Sequence, residues 1–233
     1  MLYNAIEKYN TDFVSASLYL FNNKTGKTDL YMKHFTKYNN IFCTKEDKSM
    51  FLQKITYFLT ICTVWTKIFK KDFIVSNNIL FKIKKMEDTL FIWETIIKAK
   101  NFVFLKNNIY YYRIGLANSN TALIKTKYFF DFFYELNLLS KKVHKHYLCD
   151  IYTYISIECA RQLEKTPFND SYSYFCKFKE LYYNEHINYN YKYLKLKDKI
   201  RLFFFGFCLK HNLSYCFIGK LHNKFNLVRM FTK

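Results

Sequence analysis

The spacing of apolar and polar residues predicts a helix and two strands at the start of the chain. The apolar members of residues 2–9 recur at helical intervals. The β-rich run DFVSASLYLF follows at 12–21, and the polar segment NNKTGK at 22–27 separates it from a second apolar run at 28–35. This order predicts helix, strand, turn and strand.

A second helix is predicted to begin at residue 44. Thr44 and Asp47 have the spacing of an N-terminal capping box, in which each side chain accepts a backbone N–H of the other residue. The helix should extend for about 15 residues, because apolar residues recur every three or four positions: Met50, Phe51, Ile55, Phe58 and Leu59. Residues 64–81 then predict a short strand, a turn or two of helix, and another extended piece.

Residues 86–113 combine a helical pattern with a tyrosine-rich strand pattern. From Asp88 onward, apolar residues mark one face of a helix that should end near Lys100. The runs NFVFL at 101–105 and IYYYR at 109–113 have strand composition, and the two asparagines between them predict a turn.

The pattern changes beyond Ala122, where long aromatic-rich helices are predicted. Their expected ranges are 122–145, 147–165, 170–183 and 196–210. The sequence therefore predicts the α/β class: a mixed sheet with flanking helices at 1–121, followed by an α-helical region at 122–233.

Composition and charge indicate one continuous body with anionic partners. Of the 233 residues 51% are hydrophobic, and only four glycines and one proline are available to form a linker. The 37 Lys and Arg against 18 Asp and Glu give a net charge of +19, which attracts nucleic acid, anionic lipid or phosphorylated molecules. Because no RNP, KH, zinc-finger or helix-turn-helix signature is present, we expect no nucleic-acid partner.

Several features predict a cytoplasmic protein that associates peripherally with the inner face of the cell membrane. The seven cysteines are odd in number and form no C-x-x-C pair, which favours a reducing compartment. The N-terminus does not resemble a signal peptide, and no apolar stretch reaches the length of a membrane span. Residues 192–210 alternate lysines with apolar residues, which predicts an interfacial helix. Its apolar stripe would comprise Leu194, Ile200, Phe204 and Phe207.

Five short motifs, in this order, resemble the acceptor half of bacterial family 2 glycosyltransferases. They are Trp65-x-Lys67-x-Phe69, Asn78-Ile79-x-Phe81, Glu87-Asp88-Thr89-x-Phe91, Ile109-Tyr110-Tyr111-Tyr112-Arg113, and Ser119. The resemblance covers about residues 2–125 and implies a GT-A-type fold. It also implies inverting transfer of a sugar from a nucleotide-sugar to a surface glycan or lipid-linked acceptor, as in the biosynthesis of lipopolysaccharide and other cell-surface polysaccharides.

The family's nucleotide-binding half and its DxD motif, which ligates Mg or Mn, have no counterpart in these residues. Isolated acids such as Asp12 and Asp29 do not form that motif. We therefore expect a truncated transferase that binds no cofactor by itself, is inactive alone, and acts only with a separately made donor-binding half. The alternative is a non-catalytic module that binds an acceptor glycan or an anionic membrane.

The resemblance implies roles for five residues. Asp88 would accept the proton of the acceptor hydroxyl, and Glu87 beside it would cap the helix or orient the base. Trp65 would stack on a sugar ring, while Lys67 and Arg113 would bind donor phosphates. Each residue also has an ordinary interpretation: acids stabilise a helix N-terminus, tryptophan fills core, and lysine and arginine are solvated.

A metal site at His144 and His146 is not expected. Residues two apart on a helix point about 200° away from each other, so both rings cannot face one ion. No catalytic cysteine arrangement or glycine-rich phosphate loop is present either.

Overall fold

The computed structural model describes residues 1–30, 40–42, 44–54, 62–83, 86–116, 127–165, 168–182, 189–192, 194–211 and 215. Three predicted features fall outside these residues in part or in whole. They are the part of the second strand beyond Leu30, the part of the second helix beyond Lys54, and Ser119. The chain divides into two compact units, 1–125 and 126–233. A sheet with helices forms the first and helices form the second, which confirms the coarse α/β class.

The first helix and the strand after it have the predicted boundaries to within one residue. α1 (Leu2–Tyr9) buries Ala5 and Ile6. The chain leaves the helix at Asn10, whose φ of 44° is left-handed, a conformation that asparagine adopts more readily than most residues. β1 (Phe13–Asn22) then begins, and its first half is fully buried.

β1 is the central strand of a five-stranded mixed sheet. One edge pairs in parallel with β5 (Phe102–Ile114). The other edge pairs antiparallel with two short strands, β2 (Thr28–Leu30) near its carboxyl end and β4 (Lys67–Phe69) near its amino end. β3 (Asn40–Phe42) lies antiparallel on the far side of β5.

The turn predicted at Asn107 and Asn108 is wrong, because both halves of β5 run parallel to β1. The two asparagines lie where the register between the strands shifts, opposite Ala16 to Leu18. The extra residues of β5 are accommodated as a bulge, so the chain continues in one direction instead of reversing.

α2 (Lys45–Lys54) begins with the predicted capping box. The Thr44 N–H donates to Asp47 Oδ2 at 3.1 Å, and the Asp47 N–H donates to Thr44 Oγ1 at 3.0 Å. Two N–H groups at the start of the helix, which have no intrahelical acceptor, are therefore satisfied.

Two helices follow β4: α3 (Lys71–Ser76) and α4 (Glu87–Lys98). α4 confirms the helix predicted from Asp88 and buries most of its middle residues. At its carboxyl end, the Lys48 ammonium of α2 donates to the carbonyl of Ala99. A cation at this end of a helix stabilises it through the helix dipole, so α2 fixes the end of α4.

Helices cover both faces of the sheet. α1 packs on a face that includes Val14, Ala16 and Val103. On the opposite face Phe13 stacks on Phe102 with ring centroids 4.6 Å apart. Two helices pack on that face through edge-to-face aromatic contacts. The ring centroids of Phe51 in α2 and Phe102 lie 5.0 Å apart, and those of Phe91 in α4 and Phe69 lie 5.5 Å apart.

In the second unit the structure describes α5 (Lys127–Ser140), α6 (Lys145–Lys165), α7 (Phe168–Tyr182) and α8 (Leu196–Lys210). These helices confirm the predicted pattern, except that the first ends at Ser140 and a turn precedes α6. α6 contacts the other three helices. No helix in the described part of the chain combines the length and apolar character needed to cross a bilayer.

An ionic cluster inside the second unit joins α6 to α8. Arg201 contacts Glu164 and Asp198, and Arg161 contacts Asp198 at 2.9 Å. The Tyr215 hydroxyl also donates to Glu164, at 2.9 Å.

The outer stripe predicted for the last helix is only partly exposed: Phe207 is exposed, Ile200 and Phe204 are half-buried, and Leu194 is buried. Leu194 is only 7% exposed and packs with Ile157 and Leu202. It precedes the first turn of α8, so helical spacing does not determine where its side chain points.

Candidate functional site

Asp88 lies in the first turn of α4, and its carboxylate is bonded to the chain segment that leads into β4. Asp88 Oδ2 accepts the backbone N–H of Val64 at 3.3 Å, and the side chain is half-buried. Burial raises the pKa of Asp88; the neighbouring Glu87 also raises it, whereas the Val64 N–H and Lys67 lower it. A carboxylate with a raised pKa binds a proton more strongly, as a general base must.

Lys67 is the second ionisable group of this cluster. Its ammonium group donates to the Thr63 carbonyl and lies 3.4 Å from Thr66 Oγ1. Burial of the ammonium lowers the pKa of Lys67 to about 7, although Cys62 and Asp88 favour its charged form. Because burial favours the neutral amine, Lys67 is a weaker phosphate anchor than a solvated lysine.

Cys62 is a member of this cluster that motif reasoning missed. Burial raises the pKa of its thiol to about 11, an effect that nearby Lys67 opposes and Asp88 reinforces. The thiol also shares a hydrogen bond with Thr89 of α4. No spacing in the sequence links Cys62 to residues 88 and 89, because only tertiary packing brings the two segments together.

Two buried hydroxyl groups beside the cluster have no hydrogen-bond partner among the described residues: Ser15 Oγ and Thr63 Oγ1. Ser15 is the cross-strand neighbour of Lys67, so their side chains emerge on the same side of the sheet. Buried polar groups in proteins are nearly always satisfied, so these two hydroxyls are candidates for hydrogen bonds to water or a ligand.

Trp65 stacks on the tyrosine strand. Its ring centroid lies 4.3 Å from that of Tyr110 and 5.3 Å from that of Tyr112, the latter with planes only 8° apart. Trp65 is partly exposed and Tyr110 is 41% exposed, so aromatic surface remains open to solvent. Val64 thus connects Trp65 with Asp88: it precedes Trp65 in the chain, and its backbone N–H donates to the Asp88 carboxylate.

Glu87 and Arg113 contribute less directly. Glu87 is partly exposed and acts on Asp88 through its charge. Arg113 is exposed at the end of β5 and follows Tyr112. Successive side chains of a strand point to opposite faces, so Arg113 points away from the side on which Tyr112 meets Trp65. The structure therefore brings together Asp88, Glu87, Lys67 and Trp65, and leaves Arg113 apart.

Asp12 and Asp29, the isolated acids noted in the sequence, lie in different surroundings. Asp12 Oδ2 accepts the backbone N–H of Lys100, which ties the start of β1 to the start of β5. Asp29 is exposed in β2. Among the described residues, no three His, Cys, Asp or Glu side chains cluster closely enough to hold a metal ion.

No protein-family model matches the chain, and no curated protein is significantly similar to it.

Proposed function

We propose that residues 1–125 form the acceptor side of a glycosyltransferase related to family 2, with a sheet of partial GT-A type. The observation that carries this proposal is the link between Asp88 and the aromatic cluster. The residue that would accept a proton is bonded to the segment bearing Trp65, and Trp65 stacks on two tyrosines. Stacked, partly exposed aromatic rings are suited to the apolar face of a sugar.

In the proposed reaction, an acceptor sugar lies against Trp65 and its hydroxyl faces Asp88. The carboxylate takes the hydroxyl proton while the oxygen forms a bond to the anomeric carbon of the donor. The bond from that carbon to the nucleoside diphosphate breaks, and the diphosphate departs. Burial supports this role, because the raised pKa of Asp88 makes it a stronger base than a solvated carboxylate.

In this proposal, a separate polypeptide supplies the half that binds the sugar donor. The described acidic residues do not fit a divalent metal, and Lys67 is bonded internally. The 233 residues therefore should bind acceptor glycan without transferring sugar. Ser15 and Thr63, whose hydroxyls have no partner among the described residues, would contribute hydrogen bonds to the acceptor or its bound water.

A glycan-binding experiment with the full chain tests the proposal. Methyl glycosides and short oligosaccharides are screened by ligand-observed NMR, first with the unaltered protein. We expect saturation transfer to at least one sugar, its loss in Trp65→Leu, and its retention in Tyr172→Leu, which removes an exposed tyrosine of the second unit. Sugar binding that persists in Trp65→Leu would contradict the proposed site.

A non-catalytic glycan-binding module is the second candidate, and the internal bonding of Lys67 favours it. Asp88→Asn separates the two. The amide keeps the oxygen that the Val64 N–H needs but cannot act as a base. Both functions predict that Asp88→Asn still binds glycan. Only the transferase predicts that, once a donor-binding half is added, the unaltered chain transfers sugar and Asp88→Asn does not.

A further inference from the structure

α8 buries two charged residues and exposes two of its phenylalanines. Asp198 and Arg201 are 3% and 4% exposed, whereas Phe203 and Phe207 are 63% and 44% exposed. Leu196, at the start of the helix, is 50% exposed. The three apolar residues are seven and four positions apart, so they lie along one face. A helix on the surface of a globular protein normally has the reverse arrangement.

Lysines flank this outer stripe. At 100° per residue, Lys199 and Lys210 fall within about 60° of the stripe on one side, and Lys197 falls about 100° away on the other. Lys197 and Lys210 are exposed and Lys199 is partly exposed. Their long side chains can bend away from an apolar surface while the ammonium groups remain solvated.

We propose that this face of α8 lies flat on an anionic phospholipid bilayer. Leu196, Phe203 and Phe207 would enter the boundary between headgroups and acyl chains, and the flanking lysines would contact headgroup phosphates. The 15-residue helix is about 22 Å long, enough to present all three apolar residues to a flat surface at once.

Charge disfavours the simplest alternative occupant, a second copy of the chain. Each copy carries +19, and the lysines around the stripe would meet the same lysines across a symmetric contact. An anionic surface instead neutralises them. The inward ionic cluster supports this arrangement, because bonds from Arg201 to Glu164 and Asp198 hold the helix with Phe203 and Phe207 outward.

The shape of the stripe favours lipid over single-stranded nucleic acid. Proteins that bind single strands use a positively charged groove in which bases stack between aromatic rings. The α8 stripe is the convex side of one helix, and it includes Leu196, which provides no ring for stacking. This inference does not depend on the proposed sugar site, which lies in the other unit.

Vesicle sedimentation with the full-length protein tests the inference. The vesicles contain phosphatidylcholine alone or with 30 mol% phosphatidylglycerol, at 0.15 M salt. We expect binding only to the anionic vesicles. It should weaken on the order of tenfold in Phe203→Ser and roughly fivefold per lysine in Lys197→Gln, Lys199→Gln and Lys210→Gln. Tyr172→Ser, at an exposed position of α7, and Lys141→Gln, in the exposed turn after α5, serve as controls and should bind like the unaltered protein.

Tryptophan fluorescence provides a second measurement that does not depend on affinity. Phe203→Trp and the control Tyr172→Trp are mixed with anionic vesicles containing lipids brominated near the headgroup. Extra quenching in Phe203→Trp, absent in Tyr172→Trp, supports the inference. Equal quenching, equal binding to neutral and anionic vesicles, or a dimer that Phe203→Ser dissociates would overturn it. It would also be overturned if polyuridylate bound through Phe203 while vesicles did not bind.

Discussion

Arg201 forms two parallel hydrogen bonds to Glu164, from Nε to Oε1 at 2.8 Å and from Nη2 to Oε2 at 2.9 Å. Both side chains are only 4% exposed, so the pair is removed from water. This geometry matches the planar guanidinium to the planar carboxylate, and lysine cannot reproduce it. The pair joins α6 to α8 at the centre of the second unit.

Removing one partner of this pair should be strongly destabilising. Arg201→Met removes both guanidinium hydrogen bonds from the buried Glu164 carboxylate and leaves its bond to the Tyr215 hydroxyl. The loss should lower the unfolding free energy by about 3–5 kcal/mol. Urea unfolding followed by circular dichroism measures the loss. The double variant Arg201→Met/Glu164→Met should lose less unfolding free energy than Arg201→Met alone, because it also removes the buried carboxylate. Equal losses would show that the pair is not desolvated.

Stability should rise with pH just above neutrality because of Lys67. Its pKa is about 7 in the folded protein, against an ordinary value of 10.5. Between these values the unfolded chain binds a proton that the folded chain has released, so raising the pH favours folding. The effect is at most about 1.4 kcal/mol per pH unit for one proton.

Urea midpoints at pH 6.5 and 8.5 test this dependence, and Lys67→Met should remove the increase. Lys71→Met, at an exposed position of α3, is the matched control and should retain it. The measurements stay below pH 9, because above that pH Cys62 has the opposite effect on stability. Its pKa is about 11 in the folded protein, against the usual 9.0. Between those values the unfolded thiol loses a proton that the folded thiol keeps, and stability falls.

The Asp88 carboxylate should contribute to stability as well as to chemistry. Asp88→Ala leaves the Val64 N–H without its acceptor, which should cost about 1–2 kcal/mol. Asp88→Asn keeps an oxygen at this position and should cost less. Thermal unfolding of the three proteins provides the comparison, and an equally large loss in Asp88→Asn would point to the charge rather than the hydrogen bond.

The capping box of α2 predicts two substitutions that are not additive. Thr44→Ala and Asp47→Ala each remove one of two reciprocal hydrogen bonds, and each should cost about 1 kcal/mol. Because either change loosens the same turn, the double variant should cost less than the sum. A fully additive result in urea unfolding would mean that the two bonds form independently.

Elements defined by local sequence were predictable in this protein. α1 and α4 follow from the spacing of their apolar residues, and the start of α2 follows from the Thr44 and Asp47 pair. In each case the interactions that determine the element lie within a few residues, so sequence order alone reveals them.

Features that depend on distant partners were not predictable. The asparagines of β5 have turn composition, but pairing with β1, more than 80 residues earlier, keeps them in a strand. Likewise Cys62 adjoins Asp88 only because the segment before β4 packs on α4. A residue's own neighbours carry no information about such contacts, since tertiary packing overrides local preference.

The parallel pairing of β1 with β5 has a consequence for synthesis. β1 ends at Asn22, and its main partner begins at Phe102, so the centre of the sheet cannot assemble until the residues between them and β5 itself have left the ribosome. Until then β1 exposes its unpaired backbone edges and its apolar side chains to other nascent chains. A protein with this contact order should fold slowly, and its yield in cells should depend on chaperones more than its final stability would suggest.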